Sequence, residues 1–236
     1  MQKLMSYMRS AMQRYEMIQA GDRVAVGLSG GKDSVALFVA LARMRQFYPY
    51  PYELTAITMD PCFDGKETDY EPLSALCREL DVEYIIRRTG IGRLIFEMRE
   101  EKNPCSLCAR MRRGVLHDET KLAGCNKLAL GHHMDDAAET FMMNLFNGGH
   151  IGSFSPVTYL SRKDITLIRP MIFARESDAA RVVRREGLPV VKSACPVDGK
   201  TERQEVKELL KSLEPKYGDI RGKILGAMQR GRIDGY

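Results

Sequence analysis

Val24-Ala-Val-Gly-Leu28 runs into Ser29-Gly-Gly-Lys-Asp-Ser34, and Val35–Ala42, just behind it, is the longest apolar run of the chain. A short apolar run that turns through glycines into a longer one reads as strand, tight loop and buried helix. Gly30 and Gly31 permit unusual backbone conformations and close backbone approach. The amides opening the helix, with its dipole behind them, then make an anion site. Lys32 adds a point charge, and the hydroxyls of Ser29 and Ser34 can donate to phosphate oxygens. A Walker A loop needs Ser or Thr after its lysine, where Asp33 stands, and the Gly-x-Gly-x-x-Gly dinucleotide fingerprint is absent.

Outward from this loop, strand and helix signals alternate. Glu53–Met59 reads as the next strand, Glu71–Leu80 as a helix, Glu83–Arg87 as a strand, Cys105–Ala123 as a helix, Lys127–Leu130 as a strand and Asp135–Asn147 as a helix. The helix behind the loop is expected to reach Phe47. Such alternation predicts an α/β fold with a doubly wound, mostly parallel sheet covered on both faces. Leu4, Met8, Met12, Tyr15 and Ile18 recur near helical spacing, predicting an amphipathic N-terminal helix closed by Gly21. The last third carries a hairpin, Val157–Leu160 and Ile165–Ile168, then helices at Ser177–Glu186 and Glu202–Leu213 around a loop through Cys195. The expected organisation is therefore an N-terminal helix over 1–20, the phosphate-loop domain over 21–175, and a helical segment over 176–236.

The 236 residues, 44% hydrophobic and 28% charged, exclude disorder, and twenty Gly with ten Pro exclude a collagen-like chain. Val35–Ala42 is far too short to span a bilayer, and the first eighteen residues lack the apolar core of a secretory signal, so a cytoplasmic protein with no membrane contact is expected. The net charge of +5 is unevenly spread: residues 87–113 carry eight basic and three acidic side chains, residues 161–236 seventeen and eleven. That segregation suits a polyanionic partner, though a solvated face would read the same way.

Gly131-His-His-Met-Asp-Asp-Ala-Ala-Glu-Thr140 follows a strand and opens a helix. Asp135 and Asp136 are hard oxygen ligands suited to Mg²⁺ on a triphosphate, and an Asp there equally suits a helix cap. His132 or His133 could contact phosphate. Cys105 and Cys108, spaced Cys-x-x-Cys at a helix start, lie on one face. Arg110, Arg112, Arg113 and the helix N-terminus would favour their thiolates. Such a pair could be redox-active, half a zinc site or inert. No second Cys-x-x-Cys exists, Cys195 is the best third thiolate, and three thiolates suit a [4Fe–4S] cluster with one iron open.

The loop resembles the pyrophosphate loop (PP-loop) of the N-type ATP pyrophosphatases, which cleave ATP between its α and β phosphates to adenylate a carbonyl oxygen. That resemblance implies an adenine nucleotide alpha hydrolase-like fold. It puts ATP on Ser29, Gly30, Gly31, Lys32, Asp33, Ser34, Gly131 and His132, with adenosine at Met59 and Asp60. With Cys-Ser-Leu-Cys-Ala-Arg-Met-Arg-Arg-Gly, Gly-His-His-x-Asp-Asp-x-x-Glu-Thr, Asn144-Leu-Phe-Asn-Gly-Gly149, Arg169-Pro170 and the late Cys195, the order of motifs resembles the tRNA 2-thiocytidine synthetase family from about residue 16 onward.

The resemblance implies an iron–sulfur-dependent tRNA sulfurtransferase that adenylates an anticodon-loop cytidine and replaces its 2-oxygen with sulfur. Cys105, Cys108 and Cys195 would hold the [4Fe–4S] cluster. Lys32, Asp33 and Asp136 would serve catalysis with Mg²⁺ on Asp135 and Asp136, while Arg110, Arg112 and Arg113 meet the tRNA. A cysteine desulfurase or other donor would supply sulfur, and a homodimer is possible. Met134 and Lys192 depart from residues common in the family, and Cys62, Cys77 and Cys125 match none of its ligands. Two other readings remain: a PP-loop ligase of lysidine synthetase type, which needs no cysteines, and a nucleotide- and cluster-binding sensor without turnover.

Overall fold

A computed structural model describes residues 1–96, 104–192, 195 and 202–236. Parallel strands Arg23–Gly27 (β1), Glu53–Asp60 (β2), Glu83–Arg88 (β3), Lys127–Ala129 (β4) and Ile165–Ile168 (β6) join one antiparallel edge strand, Val157–Leu160 (β5), in the order β3-β2-β1-β4-β6-β5. Helices α1 (Gln2–Arg14), α2 (Lys32–Met44), α3 (Glu71–Glu79), α4 (Ile91–Phe96), α5 (Pro104–Leu122), α6 (Met134–Gly148), α7 (Glu176–Glu186), α8 (Glu202–Tyr217) and α9 (Ile220–Arg230) complete the described residues. The expected doubly wound, mostly parallel sheet is the one observed. Among the described residues no helix is long and apolar enough to cross a membrane.

Burial on both sheet faces explains the unbroken apolar reading of β1. Val24 and Val26 point into the large core beneath α2, whereas Ala25 between them joins a second core with Ile57, Leu128 and Leu116 of α5. Helix α2 is buried from Ser34 to Ala42, so it is apolar all round rather than striped. Leu4, Met8 and Met12 of α1 and Ala179 and Val182 of α7 close the same core, so the terminal helices pack on the sheet's own layer.

Strand order reverses between β1 and β4, which pair side by side as Val24↔Lys127 through Val26↔Ala129. Ligands of open α/β sheets bind in the crevice beyond the carboxyl ends at such a switch point. The loop after β1 and the histidines after β4 both open there.

Several expected bounds move. Helix α1 stops at Arg14, and Ile18 is buried from a non-helical stretch. Helix α2 ends at Met44 rather than Phe47, and α8 runs past Leu213 to Tyr217 with Pro215 in its last turn. Helices α4 and α9 were not expected. Gly222 and Gly226 argue against helix by propensity, but Leu225 and Met228 bury one face of α9 in the main core, and Asp219 caps it by accepting from Gly222 N.

Candidate active site

The loop after β1 closes on itself through hydroxyls. Ser34 Oγ donates to Gly31 O at 2.8 Å and lies 3.1 Å from Ser29 Oγ. Gly30 has φ +86°, open to glycine at no cost. It is also covered: Val191 N donates to Gly30 O at 3.0 Å, and a Cβ on Gly30 would meet Val191 Cβ at 2.9 Å. Val191 thus lies across the phosphate loop. Lys32 Nζ, at the first turn of α2, reaches Asp33 Oδ2 at 2.8 Å and Glu176 Oε1 at 2.9 Å. Burial works against its ammonium, yet these two carboxylates outweigh it and raise its pKa. Asp33 Oδ1 is buried with no hydrogen-bond partner, an oxygen that a cation would satisfy.

Gly131, at the end of β4, packs against the start of α2: a Cβ there would meet Asp33 C and Ser34 N at 3.1 Å. Both are backbone atoms, so Gly131→Ala must push the phosphate loop outward by tenths of an ångström. The variant is expected to fold with a loss of about 1–3 kcal/mol and to bind ATP more weakly, read by melting and nucleotide titration. Wild-type affinity in that variant would mean the loop tolerates the shift.

Asp135 and Asp136, expected as a metal pair, are each engaged by protein groups. Asp136 Oδ2 accepts from His133 N at 2.9 Å while His133 Nδ1 accepts from Asp136 N at 3.2 Å, a reciprocal cap of α6. Its other oxygen lies 3.2 Å from Arg203. Asp135 accepts from Glu176 N at 2.7 Å and pairs with Arg221 Nε at 3.3 Å. With its Nδ1 accepting, His133 presents Nε2 toward Asp33 Oδ2, 3.9 Å away. His132 stacks on Phe154 with centroids 5.0 Å apart, and Arg169 lies over the same ring. Burial and the nearby Arg169 push His132 down to about 4, so a neutral imidazole with a buried, unpartnered Nδ1 follows β4.

Near the carboxyl end of β2, Met59 belongs to an apolar cluster with Phe63, Ile91, Ile95 and Cys108, against which Cys195 packs. Cys105, one turn before Cys108, is exposed. Cys108 lies near enough to both Cys105 and Cys195 for either thiolate to disfavour its own ionisation. Burial pushes the Cys108 thiol up, and Arg112, one turn on, favours its thiolate as expected but is outweighed. Arg112 is half-buried toward Cys108 and Tyr70, whereas Arg110 and Arg113 are exposed on α5. Arg99 and Lys102, counted in the basic stretch, lie outside the described residues. Asp60, at the expected adenosine position, is fully buried and accepts from Cys62 N, Thr68 N and Thr68 Oγ1, so its carboxylate shapes the following loop.

Among the described residues no three His, Cys, Asp or Glu side chains enclose a single ion. An iron–sulfur cube instead takes each thiolate on a different iron, so its ligands need only face a shared space. Cys108 in the apolar cluster, with Cys195 packed against it and Cys105 nearby on the exposed side of α5, fits that donor set. Cys77 and Cys125 are buried elsewhere, Cys77 with its thiol pushed up to about 12 by burial.

The PP-loop domain family matches residues 4–213. Relatives named tRNA-cytidine(32) 2-sulfurtransferase are 39% identical over 217 residues in Syntrophotalea carbinolica (91% of this chain, 83% of that protein) and 37% identical over 217 residues in Geobacter metallireducens (91% and 84%). This chain belongs to the tRNA-cytidine 2-sulfurtransferase family of PP-loop proteins. Among solved structures, the U34-tRNA thiolase NcsA of Methanococcus maripaludis, determined with its [4Fe–4S] cluster, superposes at TM-score 0.78 with 25% identity, over 95% of this chain and 77% of that one. An NH3-dependent NAD synthetase of Campylobacter jejuni, 16% identical at TM-score 0.50 over 100% of this chain and 96% of that one, shares the fold.

Around the PP-loop, sequence reasoning missed Glu176, Arg203, Lys207 and Arg221, all beyond the loop's own strand and helix. Arg203 holds Asp136 and lies 3.7 Å from Glu139 Oε2, whose other oxygen is buried without a partner. Burial, and Asp136 beside it, push Glu139 up to about 7. The folded state therefore binds an extra proton between about pH 4.5 and 7, so ionising Glu139 costs stability as pH rises through that window. Glu139→Gln should be more stable than wild type at pH 8 by on the order of 2 kcal/mol, with the advantage fading toward pH 4.5, as denaturant titrations at both pH values would show. An equal difference at both would place its origin outside this titration.

Proposed function

We propose that this PP-loop protein replaces the 2-oxygen of a tRNA cytidine with sulfur, using ATP. The observations that support the reading are the apolar cluster of Met59 and Cys108, against which Cys195 packs, and the phosphate loop that Val191 covers. The family supplies the substrate class.

The base oxygen is a poor leaving group until it is adenylated. The 2-oxygen attacks the α-phosphorus and pyrophosphate departs. Lys32, the amides after Gly30 and the α2 dipole neutralise charge growing on the leaving phosphates. Asp33 Oδ1 is the loop oxygen left to take a cation such as Mg²⁺ accompanying the triphosphate. Neutral His132 can hydrogen-bond the nucleotide without adding charge. Cys105, Cys108 and Cys195 would hold a [4Fe–4S] cluster, which supplies the sulfur chemistry through its iron lacking a protein ligand. A sulfur nucleophile then attacks C2, and AMP leaves with the original oxygen. Sulfur comes from a donor such as a cysteine desulfurase. Arg110 and Arg113, exposed on α5, would meet the tRNA backbone.

The test is anaerobic turnover. Iron-loaded protein, ATP, sulfide and tRNA should yield AMP, pyrophosphate and a thiolated cytidine detected by nucleoside mass spectrometry. ATP consumption with any other base change, or with none, would sink the reading.

A further inference from the structure

Glu176, the first residue of α7, is bound by two ammonium groups at once. Lys32 Nζ holds Oε1 at 2.9 Å, and Lys207 Nζ of α8 holds Oε2 at 2.6 Å. All three side chains are between a quarter and two-fifths exposed, so solvent reaches the arrangement. We infer that Lys207 is a second phosphate-binding residue, closing with Lys32 on the pyrophosphate half of ATP, and that Glu176 fills this place in the ligand-free protein. The inference rests on the ATP reading above and extends it to a residue outside the PP-loop.

An ordinary surface ion pair needs no scaffold and contributes little. This one has a buried scaffold. Asp135 accepts from Glu176 N, fixing where the carboxylate starts, and Asp135 in turn pairs with Arg221, itself 6% exposed. Arg221 also donates to Lys207 O at 3.1 Å, fixing the backbone from which the second lysine reaches out. Burying an ion pair is costly, and its return here is position: one Asp–Arg pair sets both Glu176 and Lys207. The two lysines then converge on a bidentate anion next to amides that form an anion site of their own. A polyphosphate carries more negative charge and more acceptor oxygens than a carboxylate, so it can displace Glu176 from both ammoniums.

The experiment titrates full-length protein with inorganic pyrophosphate, ATP and AMP. Lys207→Gln should weaken pyrophosphate and ATP about tenfold, the scale for one charge-assisted hydrogen bond, and leave AMP unchanged. Lys207→Arg, which keeps the charge, should restore most of the loss. Glu176→Gln, lacking the competing charge, should bind pyrophosphate more tightly than wild type. Wild-type pyrophosphate affinity in Lys207→Gln overturns the clamp. So does an equal loss of AMP, which marks a merely structural role. Wild-type protein that binds ATP no better than AMP overturns the ATP reading together with the clamp, whereas wild-type preference for ATP that survives Lys207→Gln overturns the clamp alone.

Discussion

Cys108→Ser is expected to lower tRNA thiolation on the order of 10³-fold or more while leaving ATP binding within about twofold of wild type. Cys108 is 6% exposed among Met59, Phe63, Ile91 and Ile95, so exchange of sulfur for oxygen keeps its volume and most of its contacts. What changes is the donor: a serine hydroxyl stays protonated at neutral pH and is a hard ligand, poorly matched to iron in a sulfide cluster. Iron absorbance should therefore vanish with activity, whereas nucleotide titration reports on a loop whose residues the substitution does not touch. Cys105→Ser and Cys195→Ser should behave alike. Cys77→Ser and Cys125→Ser should keep both iron and turnover, because neither lies in that cluster. A Cys108→Ser protein that still thiolates tRNA would remove the cluster from the mechanism.

The sheet was legible because its physics is local. Burial on two faces writes β1 as a solid apolar run, and a loop that must let backbone approach an anion writes Gly30 and Gly31. The hairpin strands appear at Val157–Leu160 and Ile165–Ile168, the ranges that alternation and the turn between them predict. Helix α9 was hidden because its interior glycines lower propensity, and only tertiary burial of Leu225 and Met228 compensates.

Around the expected site residues, the restraints were not legible. Asp135 and Asp136 look like metal ligands in sequence because paired carboxylates at a helix start serve either purpose. Which one holds depends on Arg203 and Arg221, distant in sequence and brought in by α8 and α9. Glu176 and Lys207 look like solvated helix charges, and only the crossing of α7, α8 and the loop makes them partners of Lys32. The place of Asp60 at the end of β2 is legible in sequence, whereas the backbone amides of Cys62 and Thr68 that hold its carboxylate are set by the loop's tertiary path.

The second large effect concerns Lys32. Lys32→Gln is expected to lower pyrophosphate release by roughly 10²–10³-fold, the range for removing one preorganised charge from a transition state. Part of that loss is not catalytic. Lys32 also neutralises Asp33 and Glu176, and its charged form is held so firmly by them that the two carboxylates and one ammonium act as a unit. Glutamine in its place leaves two carboxylates directed at an incoming polyanion, with only Lys207 opposing, so ATP affinity should fall as well as turnover. A double-mutant cycle separates the two terms. Adding Glu176→Gln removes one of the two opposing carboxylates and should recover part of the affinity, because part of the lost binding came from its uncompensated charge. It should recover little of the turnover, because no group then replaces the positive charge beside the departing pyrophosphate. Turnover and affinity recovering together would mean that Lys32 acts only by cancelling Glu176, and the chemical step would then need another cation at the phosphate loop.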